Sequence, residues 1–378
     1  MNLKRQEVGD GMNTVHQVRI AESDEERESI FRFRYRVFAE HLARKDLDGA
    51  DHEARILSDK LDAVSTHYYV GTSGQPTAAL TMSPLGSSAT SSELAEFLDL
   101  PRLAEAAPLA QITFANWLLV DPSQAGSAIV TSLMAAVSAK ALGDGTELLV
   151  TLCRPGLVNF YERLGFEQYR HATDLKGIGL RCPLLLVLRD EARLRAVHSP
   201  LYRVLRRSGG AASSLTVRLR LEPLIDMFQA TQILITDELW VDSAVKLIER
   251  ARPRLFDDMP EDGIRQIMKL ASVISCKAGQ TVTSVGETSD DMFLIAAGSF
   301  SAVDAATGLT RHLVEGDLIG EIEHLSGLPR SETVLCSSGG HVAAIKADAL
   351  FRWMQQNPEP GVTLAINLAR LLAGRVAR

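Results

Sequence analysis

Glycines recur at short intervals through residues 276–346, and short β-prone runs lie between them. Glycine adopts left-handed backbone conformations at little cost, so this spacing predicts tight turns between short strands. The turns are expected at Gly279, Gly286 and Gly298. Evenly spaced short strands of this kind are typical of a small β-barrel or jelly roll. A helix is predicted over about residues 360–376, directly after this β-rich part.

The whole chain predicts an α+β architecture in three parts. Residues 15–209 alternate helix and strand patterns, which favours a mixed sheet with flanking helices. The small polar run SGGAASS at residues 208–214 has the composition of a linker. We therefore expect a first domain over residues 15–209 and a helical linker and relay over 210–254. A second domain, the β jelly roll with capping helices, follows over 255–378.

The composition excludes several classes of protein. Lys and Arg number 40 against 47 Asp and Glu, a formal charge of -7, which argues against a nucleic-acid partner. The four cysteines are far apart, so neither a disulfide framework nor a metal site is expected. No apolar run reaches the roughly 20 residues of a membrane span, and no signal peptide is visible. We expect a cytoplasmic protein.

The segment GDLIGEIEHLSGLPRSETVL at residues 316–335, called the cassette, is the sharpest signal in the sequence. It resembles the phosphate-binding cassette of cyclic nucleotide-binding domains, the module of the catabolite activator protein and of protein kinase regulatory subunits. The cyclic phosphate that this resemblance implies needs a monoanion site, which a short helix and one guanidinium supply. The ribose 2′-hydroxyl needs a nearby carboxylate. Arg330 and Glu321 fit these two needs.

This resemblance implies a set of nucleotide-binding residues: Gly320, Glu321, Ile322, Arg330 and Ser331. In it, Gly320 lets the backbone approach the ribose and Glu321 accepts from the 2′-hydroxyl. Arg330 pairs with the cyclic phosphate, and Ser331 adds a hydroxyl group. A serine at position 331 favours cAMP over cGMP as the effector.

The cassette also departs from the common family pattern. Ile319 stands where phenylalanine is frequent, and Glu323-His324 stand where Ala-Leu is usual. The alternative interpretation is a ligand-free jelly roll in which Glu321 and Arg330 pair with each other. No helix-turn-helix follows before Arg378, so a DNA-binding regulator of the catabolite activator type is not expected.

Residues 117–142, WLLVDPSQAGSAIVTSLMAAVSAKAL, resemble motif A of the GNAT acyltransferase superfamily. In that motif a strand splays from its neighbour, and a loop leads into a helix whose amides hold a pyrophosphate. The resemblance implies that an acyl-CoA or acyl-carrier-protein thioester is the donor. The implied donor-binding residues are Leu119, Val120, Ser123, Gln124, Gly126, Ala128 and Asn159. Ser123 stands where the family usually has Arg or Gln.

The run NFYERLGF at residues 159–166 resembles a later GNAT motif, in which a tyrosine protonates the leaving thiolate. Tyr161 is the matching residue, and a phenol is a reasonable acid for a thiolate that develops late in the reaction. The alternative is that Tyr161 only packs its helix onto the sheet.

The runs FRFRYRVFAEHL and DKLDAVSTHYYV resemble the acyl-homoserine-lactone synthases and N-acyl amino acid synthases. The resemblance implies that Arg34 and Phe38 bind substrate. Leu57 and Thr81 stand where the lactone synthases have a glutamate and an arginine. These departures favour an N-acyl amino acid synthase or a more general amine acyltransferase.

The inferred reaction is transfer of an acyl group from a thioester to an amine, with strand amides near Leu119 polarising the carbonyl. Candidates for the base that takes the amine proton are Asp59, Asp62 and His67, with Glu40 or a water chain as alternatives. The acceptor is an amino acid or a protein lysine.

Residues 170–220 hold eleven Arg and Lys against three Asp and Glu. This excess predicts either a dock for an acyl carrier protein or for coenzyme A phosphates, or a solvated face that contacts the other domain.

The function favoured by the sequence is a cyclic-nucleotide-regulated N-acyltransferase, with cAMP as effector and the helices of residues 221–255 as relay. Two alternatives stay open. One is a cAMP-responsive protein lysine acetyltransferase that uses acetyl-CoA. The other is a catalytically inactive nucleotide-binding adaptor, which Ser123 in motif A favours.

Overall fold

The computed structural model describes residues 16–41, 47–121, 127–175, 179–208, 215–231, 253–289, 291–326 and 328–376. They form a mixed α+β structure with two main sheets, which confirms the predicted fold class. The helices of this described part include none that is long and apolar enough to cross a membrane.

The first sheet is mixed and has eight strands. Its strands are β1 (Val18–Ile20), β4 (Thr66–Thr72), β5 (Gln75–Pro84), β6 (Ile112–Val120), β7 (Leu148–Cys153), β8 (Glu167–Gln168), β9 (Thr173–Leu175) and β10 (Gly179–Val187). Their order is β1-β4-β5-β6-β7-β10-β8, with β9 paired to β10. A separate two-stranded ladder joins β2 (Ala50–Asp51) and β3 (Ile56–Leu57).

Strands β6 and β7 are parallel neighbours that separate after a short pairing. Residues Ile112–Ala115 pair with Leu148–Thr151, whereas β6 continues to Val120. On its other side β6 stays paired with β5 as far as Val120. The sheet therefore opens between β6 and β7, which is the splay that motif A predicts.

Helices cover both faces of this sheet. They are α1 (Asp24–Tyr35), α2 (Ser92–Phe97), α3 (Leu100–Ala106), α4 (Ser127–Gly143), α5 (Val158–Leu164), α6 (Glu191–Ala196), α7 (Leu201–Arg207) and α8 (Leu215–Thr231). A π-helical turn (Arg36–His41) continues α1, and 3-10 turns occupy Lys60–Val64, Leu109–Gln111, Pro155–Leu157 and Arg254–Phe256. Ser23 and Glu26 form a capping box at the start of α1. Buried side chains of α4 and α5 pack on one face of the sheet, and those of α1, α3 and α8 belong to two further clusters.

The second sheet has six antiparallel strands and confirms the predicted β-rich domain. They are β11 (Ser272–Cys276), β12 (Thr281–Thr283), β13 (Asp291–Asp304), β14 (Thr310–Leu313), β15 (Leu318–Ile319) and β16 (Glu332–Lys346). The helices of this part are α9 (Glu261–Leu270), α10 (Glu321–Ser326), α11 (Ala347–Gln356) and α12 (Pro358–Val376). The long strands β13 and β16 cross closely at Gly298 and Gly340, where a Cβ on Gly340 would lie 2.1 Å from the Ala297 carbonyl oxygen.

The two sheets share one apolar core. Buried side chains of β7 and β10 belong to the same cluster as those of β11, β12 and β13. All four cysteines are buried and reduced within it. The helix α8 lies beyond the expected boundary at residue 209, yet its Arg218 pairs with Glu167 of β8. Residues 232–252 of the predicted relay lie outside the described part of the chain.

Candidate functional site

The cassette forms a small cavity around one buried guanidinium. Arg330 is 3% exposed and lies against the α10 turn, where its Nη1 donates to the Gly320 carbonyl oxygen at 3.0 Å. Its Nη2 donates to the Asp291 carbonyl oxygen. Gly320 has a φ of +78°, and a Cβ there would lie 1.6 Å from Nη1 of Arg330. Glycine is therefore required at this position for the arginine to reach the cavity.

A carboxylate from the cassette fills the space next to Arg330. Oε1 of Glu323 accepts from the Ser331 backbone amide at 3.1 Å and from its hydroxyl at 2.8 Å. Oε2 of Glu323 lies 3.5 Å from Arg330 Nη1. Burial raises the pKa of Glu323, but the Ser331 hydrogen bonds and the Arg330 charge together lower it below its usual value. Glu323 is therefore ionised at neutral pH.

Glu321 is 1% exposed, so both acidic residues of α10 are buried. The hydrogen bonds of Arg330 go to Gly320, Asp291 and Glu323. Ile322 lies between the two glutamates on α10 and is partly buried. The sequence identified Arg330, Ser331 and Gly320 as neighbours, but it did not anticipate the position of Glu323.

The first domain contains a buried polar cluster between α1 and the sheet. Arg34 is fully buried and makes a two-pronged ion pair with Asp62, with Nη1–Oδ2 and Nη2–Oδ1 distances of 2.7 and 2.9 Å. Its Nη2 also donates to Thr81 Oγ1 at 2.7 Å. His67 Nδ1 lies 3.0 Å from the same hydroxyl oxygen. The structure thus brings together three residues that the sequence predicted, Arg34, Asp62 and His67, and adds Thr81.

Trp117 joins this cluster to the other predicted acid. Its indole Nε1 donates to Asp59 Oδ2 at 2.6 Å, and its ring lies 4.7 Å from the Arg34 guanidinium carbon. Trp117 has a φ of +53°, at the irregularity where β5 and β6 lose register. Phe38 packs edge-on against it at 5.4 Å. Trp117 is the first residue of the motif A run, but that resemblance assigned it no role.

The surroundings of the three candidate bases differ. Burial and the neighbouring Asp62 raise the pKa of Asp59, although the Trp117 hydrogen bond opposes them. Burial and the Arg34 charge lower the pKa of His67, so its ring is neutral at pH 7. The Asp62 carboxylate is already paired with the Arg34 guanidinium. Asp59 is partly exposed and its pKa is raised, so it is the best placed of the three to take a proton. Glu40 pairs instead with Arg55.

Replacing Arg34 with methionine is expected to lower the melting temperature of the first domain by roughly 10 °C. Removing one partner of a buried ion pair leaves the other charge uncompensated, which costs about 3–5 kcal/mol. Arg32→Met is the matched control, since Arg32 lies on the same helix, half exposed, and pairs with Glu28. Circular dichroism melts of both variants test this. Equal shifts for the two variants would show that the Arg34–Asp62 pair contributes no special stability.

Tyr161 lies at the base of the splay between β6 and β7. It is 4% exposed, and its hydroxyl is hydrogen-bonded to Thr151 of β7. Thr151 in turn donates to the Ala115 carbonyl oxygen at 2.8 Å, at the last residue pair before the strands separate. Burial raises the pKa of Tyr161 well above its usual value. The phenol therefore keeps its proton throughout the neutral range.

The predicted donor-binding residues are spread over several elements. Leu119 and Val120 pair with β5 as the final residues of β6, and Ala128 is exposed in the first turn of α4. Ser123, Gln124 and Gly126 lie outside the described residues. Among those described, no group of three or more His, Cys, Asp and Glu side chains could hold a metal ion.

The helix that bears Tyr161 begins at a contact with the second domain. The Gly156 amide donates to Asp291 Oδ2 at 3.3 Å. The Asn159 amide side chain donates to the Ala271 carbonyl oxygen at 2.6 Å, and the Asn159 backbone amide donates to Ser272 Oγ at 3.2 Å. Asn159, predicted to bind the donor, is thus a contact between domains.

The basic segment at residues 170–220 is partly neutralised. Arg218 pairs with Glu167, and Arg206 lies 3.9 Å from Glu191. Arg170 donates to the backbone carbonyls of Glu96 and Phe97. Several of its guanidiniums therefore stabilise the first domain.

Comparison with known proteins identifies the second domain. Residues 273–357 match the family model described as cyclic nucleotide-binding domain. The chain therefore contains a C-terminal cyclic nucleotide-binding domain. A cAMP-dependent protein kinase regulatory subunit of Eremothecium gossypii is 34% identical over 80 residues, 20% of this chain. This chain spans only 18% of the length of that relative.

Two solved structures are similar to different parts of the chain. A cyclic nucleotide-binding domain from Methylobacillus flagellatus is 21% identical with a TM-score of 0.33, and the match covers 37% of this chain and 80% of the other. A CoA-dependent acyl-homoserine lactone synthase solved with MTA is 15% identical with a TM-score of 0.39, and the match covers 50% of this chain and 98% of the other. The N-terminal region is the part that resembles this synthase.

Proposed function

We propose that this chain is an N-acyltransferase regulated by a cyclic nucleotide. In this proposal, the first domain transfers an acyl group from a CoA or acyl-carrier-protein thioester to an amine, and cAMP bound in the second domain changes the rate. The observation that carries the proposal is the contact at the start of α5. The helix that bears Tyr161 is hydrogen-bonded to the nucleotide-binding domain through Asn159, and the turn before it through Gly156.

The groups around the splay match the needs of acyl transfer. The amine nitrogen forms a bond to the thioester carbonyl carbon, and its proton goes to the Asp59 carboxylate. The carbon–sulfur bond then breaks, and the Tyr161 hydroxyl protonates the departing thiolate. Trp117 donates to Asp59, and the Ala115 carbonyl accepts from Thr151, the hydrogen-bond partner of Tyr161. Trp117 and Ala115 are two residues apart on β6. Along a strand this spacing is about 7 Å between the two backbone positions, which places both residues near the opening of the sheet.

A short chain of contacts supports regulation through the interface. Arg330 donates to the Asp291 backbone carbonyl, and the Asp291 carboxylate accepts from Gly156. A nucleotide that moves Arg330 therefore acts two hydrogen bonds away from the turn before α5. Regulation requires that the nucleotide bind two arrangements of this turn with different affinity. The sequence suggested a different route, through the helices of residues 221–255.

Release of free thiol tests the catalytic part of this proposal. The full chain is incubated with acetyl-CoA or a long-chain acyl-CoA, alone or with an amino acid mixture or a lysine-containing peptide. The expected result is thiol release that needs both donor and amine, with the N-acyl product identified by mass spectrometry. Activity confined to acetyl-CoA and the peptide indicates a lysine acetyltransferase. Absence of thiol release with every pair of substrates, together with nucleotide binding, indicates an inactive adaptor.

A further inference from the structure

The anion site of the nucleotide pocket already holds an anion from the chain itself. Glu323 accepts two hydrogen bonds from Ser331 and lies 3.5 Å from Arg330. These are the two residues that the cassette offers to a cyclic phosphate. The side chains of Arg330 and Glu323 are 2% and 7% exposed.

A carboxylate and a cyclic phosphate diester have the same charge and similar acceptors. Each carries one negative charge over two oxygens that accept from a guanidinium and a hydroxyl. The cavity around Arg330 is small, and Glu332 on its wall is already paired with Arg311. Two anions next to one guanidinium repel each other strongly where water is excluded.

We propose that Glu323 is an internal competitor for the phosphate position, which closes the pocket until an anionic nucleotide displaces it. The proposal rests on the nucleotide-binding role proposed above and adds a selectivity mechanism to it. A ligand must supply enough contacts through its base and ribose to offset the loss of the Glu323 contacts. An anion without those parts, such as inorganic phosphate, does not open the pocket.

Calorimetric titration of the full chain with cAMP, cGMP and inorganic phosphate tests this. Glu323→Ala is expected to lower the dissociation constant for cAMP at least tenfold, because no internal anion has to leave. Glu323→Gln keeps the size of the side chain and removes its charge, so this variant is also expected to bind cAMP more tightly than the wild type. It provides the test if Glu323→Ala does not fold. Glu261→Ala removes an exposed glutamate of the same domain, paired with Arg265, and serves as the control.

The outcomes separate this inference from the proposed function. Unchanged or weaker cAMP binding by both Glu323 variants, with a wild type that binds, overturns the inference and leaves nucleotide sensing intact. If the Glu323 variants bind cAMP and the wild type does not, the inference is supported and nucleotide regulation of the wild type is contradicted. Lack of binding by every protein contradicts both. Wild-type binding of inorganic phosphate as tight as that of cAMP also overturns the inference.

Discussion

Stabilisation of the second domain by cAMP is expected to disappear when Arg330 is replaced by alanine. At a ligand concentration 100 times the dissociation constant, the wild type gains about 2.7 kcal/mol. Arg330 is the guanidinium that faces the cavity, so its removal takes away the cation that pairs with the phosphate. Thermal shift with and without cAMP measures the difference.

Two further variants keep this prediction interpretable. Arg330→Ala leaves Glu323 buried without its partner, which can destabilise the domain. Arg330→Lys keeps the positive charge and removes only the forked geometry of the guanidinium. Arg265→Ala removes an arginine that pairs with Glu261 on the surface of α9, and it should respond to cAMP like the wild type. A full cAMP response in both Arg330 variants would show that the nucleotide binds elsewhere.

Acyl transfer is expected to slow about 100-fold or more when Tyr161 is replaced by phenylalanine. Removing a general acid typically costs a factor of 10²–10⁴. The loss should shrink for a donor whose thiol has a low pKa, because such a thiolate leaves without a proton. Because burial raises the pKa of Tyr161, its hydroxyl stays protonated between about pH 6 and 9. The wild-type rate should therefore not fall through deprotonation of Tyr161 in this range.

Tyr169→Phe is the matched control for that variant. Tyr169 is 1% exposed, and its hydroxyl donates to the Leu98 carbonyl oxygen at 2.8 Å, away from the splay. This variant measures how much the rate falls when a buried tyrosine hydroxyl away from the splay is removed. Equal rate losses for Tyr161→Phe and Tyr169→Phe, with no dependence on the leaving thiol, would assign Tyr161 to packing alone.

Local features of the fold were predictable from the sequence. The capping box at Ser23, the turn that ends α5 at Gly165 and the alternating strands of the second domain each follow from residues close together in the chain. The short helices α2 and α3 were not predicted, because six or seven residues are too few for a helical period to emerge.

The contacts that make the sites were harder to predict, because they join distant residues. Asp291 and Gly156 are 135 positions apart, and no sequence motif links one to the other. Arg34 and Asp62 were assigned separate roles, whereas the structure pairs them. At Glu323 the departure from the family pattern was visible, but the direction of the carboxylate depends on the packing of α10 against Ser331.

The rate of acyl transfer with and without saturating cAMP shows whether nucleotide binding controls catalysis. Regulation through the interface predicts that cAMP changes the wild-type rate by about fivefold or more, in the range of typical allosteric couplings. Asp291→Ala, which removes the acceptor of the Gly156 amide, should bind cAMP but lose this change. Ser284→Ala removes another contact between the domains, to Asp174, and should keep it. A wild-type rate that is the same with bound cAMP as without it would contradict regulation of acyl transfer by the nucleotide.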